Sequence, residues 1–199
     1  VHHITPTAAR SMGSRLNAYP PIRFSVQIAG GTSLKYRMEE KSSMRMVGIR
    51  IPLTTDMDEN QKRIPLFWQT ILSSGLFSEL CSLSNQSPQG ILGISVYEGP
   101  QNFFYYIAAA SDAPAPAGMS ALEIPAASWA VFENDGHFKE DVQSVFRRFY
   151  TEWLPFSGYE YAGLPDMEVY PICKKVPVSG HSEVWIALKK DKENTTCTI

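Results

Sequence analysis

Ala127-Ser-Trp-Ala-Val-Phe132, a helical pattern, then Met167-Glu-Val-Tyr170 and Glu183-Val-Trp-Ile-Ala187 repeat an order already met between Met44 and Ala109. There the apolar run Met44 to Leu53 precedes a helical pattern, Ile94-Ser-Val-Tyr97 and Phe103-Phe-Tyr-Tyr-Ile-Ala108. Strand, helix, strand, strand thus occurs twice. Two such units can pair their strands into one sheet and leave a groove at the pseudo-symmetric centre, a natural place for a small molecule. The repeats are set at about residues 42–112 and 120–190. Aligning the two tetrapeptides sets Ser95 against Glu168, so one copy carries a hydroxyl where the other carries a carboxylate.

Around this repeat the punctuation is consistent. Met44 to Leu53 reads as a strand stopped near Pro52. Asp58 or Asn60 could cap the helix that follows, in which Ile64, Phe67, Trp68, Ile71 and Leu72 recur at helical steps until Gly75. Ile91 to Tyr97 and Phe103 to Ala109 predict a hairpin about Glu98-Gly-Pro100. Ala113-Pro-Ala-Pro-Ala-Gly118 links the copies. In the second copy a strand from Leu122 to Glu133 ends at the turn signal Asn134-Asp-Gly136. A helix from about Lys139 to Leu154 follows, with Val142, Val145, Phe146, Phe149 and Trp153 on one side, and stops before Pro155. Ahead of the repeat, Ile22, Phe24, Val26 and Ile28, then Leu34 to Glu39, alternate about Gly30-Gly31 and predict an N-terminal hairpin. Residues 1–21 read as a leader with a helical turn at Thr7 to Arg10, and 191–199 as a polar tail.

Composition bounds the class. With 199 residues, 44% hydrophobic and 19% charged, the chain can bury a sizeable core. No run of 18 apolar residues or basic start before an apolar stretch supports a membrane span or signal peptide. Cys81, Cys173 and Cys197 are odd in number and far apart, which argues against a disulfide framework or zinc site and for a reducing, cytoplasmic setting. The formal charge of −2 hides a split: eight Lys/Arg against two acids up to residue 50, then ten against eighteen. That is either a basic leader on an acidic body or ordinary solvated charge.

Ile124 to Phe132, Gly136, Phe149-Tyr-Thr-Glu-Trp-Leu-Pro-Phe-Ser-Gly-Tyr-Glu160 and Pro165-Asp-Met-Glu-Val-Tyr-Pro171 resemble the GyrI-like small-molecule-binding domain, found as the effector-binding part of AraC-family and some MerR-family transcription regulators. Ile4-Thr-Pro-Thr-Ala-Ala-Arg10 resembles the end of an AraC-type helix-turn-helix, with His3 where a Gly is usual. The resemblance implies an α+β fold: an antiparallel sheet of two related halves, one helix per half, a central ligand cleft, and a domain spanning about residues 22–190. It also implies a buried acid among aromatics that holds cationic, apolar ligands, at Glu168. DNA is then expected to be met only through a reader module preceding this segment, with no membrane partner and no required cofactor; a homodimer is left open.

The residues point to the same acid independently. Glu168 interrupts an apolar, aromatic strand where Glu is disfavoured. A carboxylate in an apolar cleft is desolvated, and an arriving cation relieves that cost. The competing reading makes Glu168 a solvent-face residue or a core group accepting hydrogen bonds from Tyr or Trp. Tyr97, Tyr170, Trp129, Trp68, Tyr106 and Trp153 are the candidate aromatic walls. His2, His3, His137 and His181 lack metal-ligand spacing, and no nucleophile elbow or phosphate loop occurs. A ligand sensor rather than an enzyme is therefore expected. Two alternatives are a GyrI-like hydrolase of small electrophiles, with Glu168 as general base, and a free-standing inhibitor of another macromolecule.

Overall fold

Nine strands form among residues 34–134, 140–171 and 181–190, the parts of the chain that the computed structural model describes; the central ones are buried on both faces, so they read as apolar runs rather than alternations. The strands are β1 (Tyr36–Lys41), β2 (Met44–Leu53), β3 (Ile91–Gly99), β4 (Asn102–Ala110), β5 (Ser120–Ile124), β6 (Ala127–Asn134), β7 (Tyr159–Tyr161), β8 (Asp166–Tyr170) and β9 (Ser182–Lys190). They form one antiparallel sheet in the order β1-β6-β9-β8-β3-β4-β2-β5, with β7 added to β9. The order is palindromic: β2, β3 and β4 on one side answer β6, β8 and β9 on the other, and β3 meets β8 at the centre. The leading strands are exchanged. β1 precedes β2 in the chain yet pairs with β6, while β5 precedes β6 yet pairs with β2. Either half alone would leave a long strand with an open edge, so the exchange ties the halves together.

Four local expectations are corrected. The strand expected from Leu122 to Glu133 is two strands, β5 and β6, divided at Pro125, which cannot donate to a ladder. The first helix, α1 (Met57–Ser73), is capped by Asp56, whose side chain accepts from the backbone N–H of Asp58 and Glu59; such a cap is worth about 1 kcal/mol. The first half carries a second helix, α2 (Leu76–Leu83), rather than one helix per half. In the second half α3 (Glu140–Arg148) does not stop before Pro155: it widens into a π turn at Phe149–Trp153 and resumes as α4 (Leu154–Ser157). Pro155 has no N–H to donate and its ring would crowd the carbonyl four residues back, so a wider turn lets the chain continue. The short strand β7 was not anticipated.

Register assigns the two faces. Residues opposite one another on antiparallel strands share a face, and α1 and α2 cover Ile91, Tyr105, Ile107, Ala109 and Tyr170 on one of them. On that same face α3 and the π turn cover Ala130, Phe132, Val184, Ile186 and Leu188. The other face carries a separate core of Met46, Leu92, Ile94, Tyr106, Trp129, Met167 and Trp185. The expected turn Asn134 to Gly136 extends into residues 135–139, outside the described ones. The leader, the helical turn at Thr7 to Arg10, the first strand of the expected N-terminal hairpin and the tail lie outside them too. The described partner of β1 is β6. Among the described residues no helix is long and apolar enough to cross a membrane.

Candidate functional site

β8 runs between the two helical layers, and its alternation turns Asp166, Glu168 and Tyr170 toward them while Met167 and Val169 enter the opposite core. Glu168 Oε2 accepts hydrogen bonds from the hydroxyls of Tyr170, at 2.7 Å, and Tyr105, at 3.2 Å. The indole N–H of Trp68, on α1, donates to the Tyr105 hydroxyl at 3.0 Å. Trp68 also meets Tyr170 edge-on, with ring centroids 5.3 Å apart. One carboxylate oxygen is thus gripped by two phenols braced by an indole. Among the described residues Oε1 takes no hydrogen bond, and Glu168 keeps part of its surface accessible.

Gly93 makes the grip possible. It lies opposite Glu168 on β3, and a side chain there would meet the Tyr105 hydroxyl at 2.1 Å and Glu168 Oε2 at 3.0 Å. Without one, the Tyr105 ring crosses β3 and reaches the carboxylate.

Asp166 is a second acid on this face, opposite Ser95. It is only 9% exposed; Tyr161 donates to its Oδ2 at 3.2 Å, while Oδ1 is buried and has no hydrogen-bond partner among the described residues. Tyr97, Tyr150 and Tyr161 gather near it, Tyr150 meeting Tyr161 edge-on at 6.1 Å. Tyr97 and Tyr150 keep much of their surface exposed, at 59% and 44%, so this end of the floor is open to solvent.

Burial sets the electrostatics. It raises the Glu168 carboxyl, against the lowering effect of the Tyr170 and Tyr105 hydrogen bonds. Burial likewise pushes Asp166 up to about 7; the Tyr161 bond opposes this, and the nearby Glu168 charge adds to it. The phenols of Tyr105, Tyr161 and Tyr170 are driven well above their usual range, first by burial and then by the neighbouring acids, so they stay hydrogen-bond donors. Tyr150 is pushed up to about 12 for the same reasons, its first two causes being burial and Asp166. The result is a floor of two desolvated acids held by phenol donors.

A stability prediction follows from Asp166. Its carboxyl holds its proton more tightly folded than unfolded, so folding takes up protons where the two states differ. Stability from this group is therefore greatest at acid pH and declines as pH rises toward about 7, beyond which the penalty is complete. Asp166→Asn should flatten that decline and leave the empty protein more stable than wild type at pH 8. Urea melts at pH 5 and pH 8 check this; parallel pH dependence in both proteins would contradict it.

The expected site residues separate by face. Glu168, Tyr170 and Trp68 come together, and Tyr97 stands at the open end beside Asp166. Tyr106 and Trp129 are corrected: register pairs them with Ile94 and Ala187 in the opposite core, where they cannot wall this floor. Trp153 stacks on Phe149 and Tyr159 and meets Tyr36 and Phe132 edge-on, as part of the second helical layer's packing. Tyr105, Tyr161, Tyr150, Asp166 and Gly93 were missed. The signal that could have found Asp166 was its spacing, two residues before Glu168 in the same strand. Among the described residues no group of three or more His, Cys, Asp or Glu is placed to hold a metal ion.

Known proteins share this architecture. The model of a family described as the GyrI-like small molecule binding domain matches residues 34–189. The structure of SAV2435 bound to tetraphenylphosphonium superposes with a TM-score of 0.71 at 22% identity, covering 81% of this chain and 98% of that one. A putative bacterial transcription regulation protein from Staphylococcus aureus MU50 gives 0.66 at 22% identity, over 79% and 99%. The C-terminal domain of EcmrR gives 0.53 at 14% identity, over 80% and 99%. At such identities the likeness speaks to the fold. No curated protein sequence matches the chain.

Proposed function

Taking as premise that the chain belongs to the GyrI-like small-molecule-binding domain family, we propose that it binds an organic cation with aromatic surface as the effector-sensing part of a transcription regulator. The observation that carries the reading is the Glu168 carboxylate, gripped at Oε2 by Tyr170 and Tyr105 on a floor flanked by Trp68. A desolvated acid costs the empty protein stability, and a cation that reaches it lowers that cost. The π faces add attraction of about 0.5–2 kcal/mol for a cation over a ring. SAV2435, similar in fold, was solved with tetraphenylphosphonium, a cation of this shape. The regulator reading is supported by the S. aureus protein's description as a transcription regulation protein and by the resemblance of Ile4 to Arg10 to an AraC-type reader end. Such a sensor acts in the cytoplasm, with DNA contacted by its reader module.

Tetraphenylphosphonium and neutral triphenylphosphine oxide make a matched test. The cation should raise the melting temperature in a dose-dependent way, since binding to the folded state stabilises by mass action, about 2.7 kcal/mol at a hundredfold excess over Kd. The neutral ligand should do much less, and both should be recovered chemically unchanged. Equal shifts for the two would remove the charge from the reading. Turnover of an electrophilic substrate, lost in Glu168→Gln, would replace the sensor with the hydrolase.

A further inference from the structure

Asp166 has no part in the reading above, although it shares the floor with Glu168. The two lie two residues apart on β8, about 6.5 Å along a strand, with both side chains on the same face. β3 sets its small residues against them, Gly93 opposite Glu168 and Ser95 opposite Asp166. Asp166 is nine-tenths buried, and its Oδ1 is enclosed without a hydrogen-bond partner among the described residues. A buried acceptor left without a donor is costly in a native protein and calls for an explanation. Among the described residues, the titratable groups facing it are Tyr161 from β7, Tyr97 from β3, Tyr150 from the π turn and Glu168 from β8 itself. Three are phenols and one is an acid, so none of these described groups brings positive charge to Asp166.

We propose that Asp166 completes a dication site: an arene carrying two protonated nitrogens places one against Glu168 Oε1 and donates an N–H from the other to Asp166 Oδ1. The Tyr97 and Tyr150 rings, exposed at that end, give the second nitrogen its way in and a face to pass over. A phosphonium has no N–H, so it satisfies Glu168 and leaves Asp166 unserved. This inference rests on Glu168 accepting a cation, and the experiment separates the two claims.

The probes are 1,4-bis(aminomethyl)benzene, a dication, and 4-methylbenzylamine, which has the same ring with one ammonium. Calorimetric titration at pH 8, above the point at which Asp166 ionises, should show the dication binding about tenfold or more tightly, as a charge-assisted hydrogen bond supplies. In Asp166→Asn the ratio of the two affinities should fall to near one, whatever common loss the missing charge brings to both, and an unchanged circular-dichroism spectrum shows that the variant folds. Tyr161→Phe, which removes the bond to Oδ2 and spares Oδ1, should keep the advantage. No dication advantage in wild type, or one that survives Asp166→Asn, overturns the proposal. If Glu168→Gln leaves 4-methylbenzylamine binding unchanged while Asp166→Asn abolishes the dication's advantage, the Glu168 reading fails and the Asp166 subsite stands without it.

Discussion

Glu168→Gln should weaken tetraphenylphosphonium by roughly ten- to a hundredfold and leave triphenylphosphine oxide nearly untouched. The substitution keeps the volume and an acceptor oxygen for Tyr170 and Tyr105, so the grip on the strand survives in outline. What it removes is the charge. A phosphonium offers no hydrogen bond, so the loss is coulombic: two unit charges about 6 Å apart at an effective dielectric constant of about 20 attract by about 3 kcal/mol, which sets its upper size. The acid is raised by burial, so its ionised form carries a desolvation cost in the empty site. The amide has no charge to desolvate and so a smaller cost, and the empty variant should therefore be at least as stable as wild type above the folded carboxyl's titration, with the gain fading at acid pH where Glu168 is already neutral. Titrations of both ligands into both proteins decide it. Equal losses for cation and neutral ligand would mean that shape, not charge, was disturbed; no loss would return Glu168 to an ordinary polar core residue.

Part of the candidate site was legible because a carboxylate in an apolar strand contradicts its surroundings, and such contradictions are where functional or strained positions are sought. Glu168 between Met167 and Val169 was visible on that ground alone. The repeat was equally legible, since its apolar runs recur in the same order. What could not be read was parity. Tyr105 and Tyr106 are adjacent and chemically alike, yet they point to opposite faces, and only the pairing of Ser95 with Tyr105 decides which one joins Glu168. Trp129 was misplaced for the same reason: its strand was found, but its face depends on the register with β9. The exchange of leading strands was also hidden, because sequence order suggests that β1 lies beside β2. The π turn escaped because Pro155 ordinarily ends a helix, and the compensation lies in backbone geometry rather than residue type. α2 was within reach, since Leu76, Leu80 and Leu83 recur at helical spacing, but Gly75 drew the boundary too early.

Gly93→Ala should cost about 1–3 kcal/mol of stability and abolish the charge selectivity proposed for the site, although it adds only a methyl group. Gly93 takes ordinary extended backbone rather than a left-handed conformation, so alanine brings no strain of its own and would by itself slightly favour the folded state. The cost arises from where the methyl lands, 2.1 Å from the Tyr105 hydroxyl and 3.0 Å from Glu168 Oε2. Tyr105 is 2% exposed, packed under α1 and bonded to Trp68, so its ring has little room to withdraw. Either the ring shifts and Glu168 loses a donor, or the strands part where the two halves meet. For a chain of this size the melting temperature should fall by roughly 2–4 °C per kcal/mol. Tyr105→Phe removes the atom that the new methyl strikes first, so Gly93→Ala should cost distinctly less in that background, a coupling readable from a double-mutant cycle. If Gly93→Ala costs the same with and without the hydroxyl, the methyl is felt elsewhere, and the passage of Tyr105 across β3 is not what requires glycine at this position.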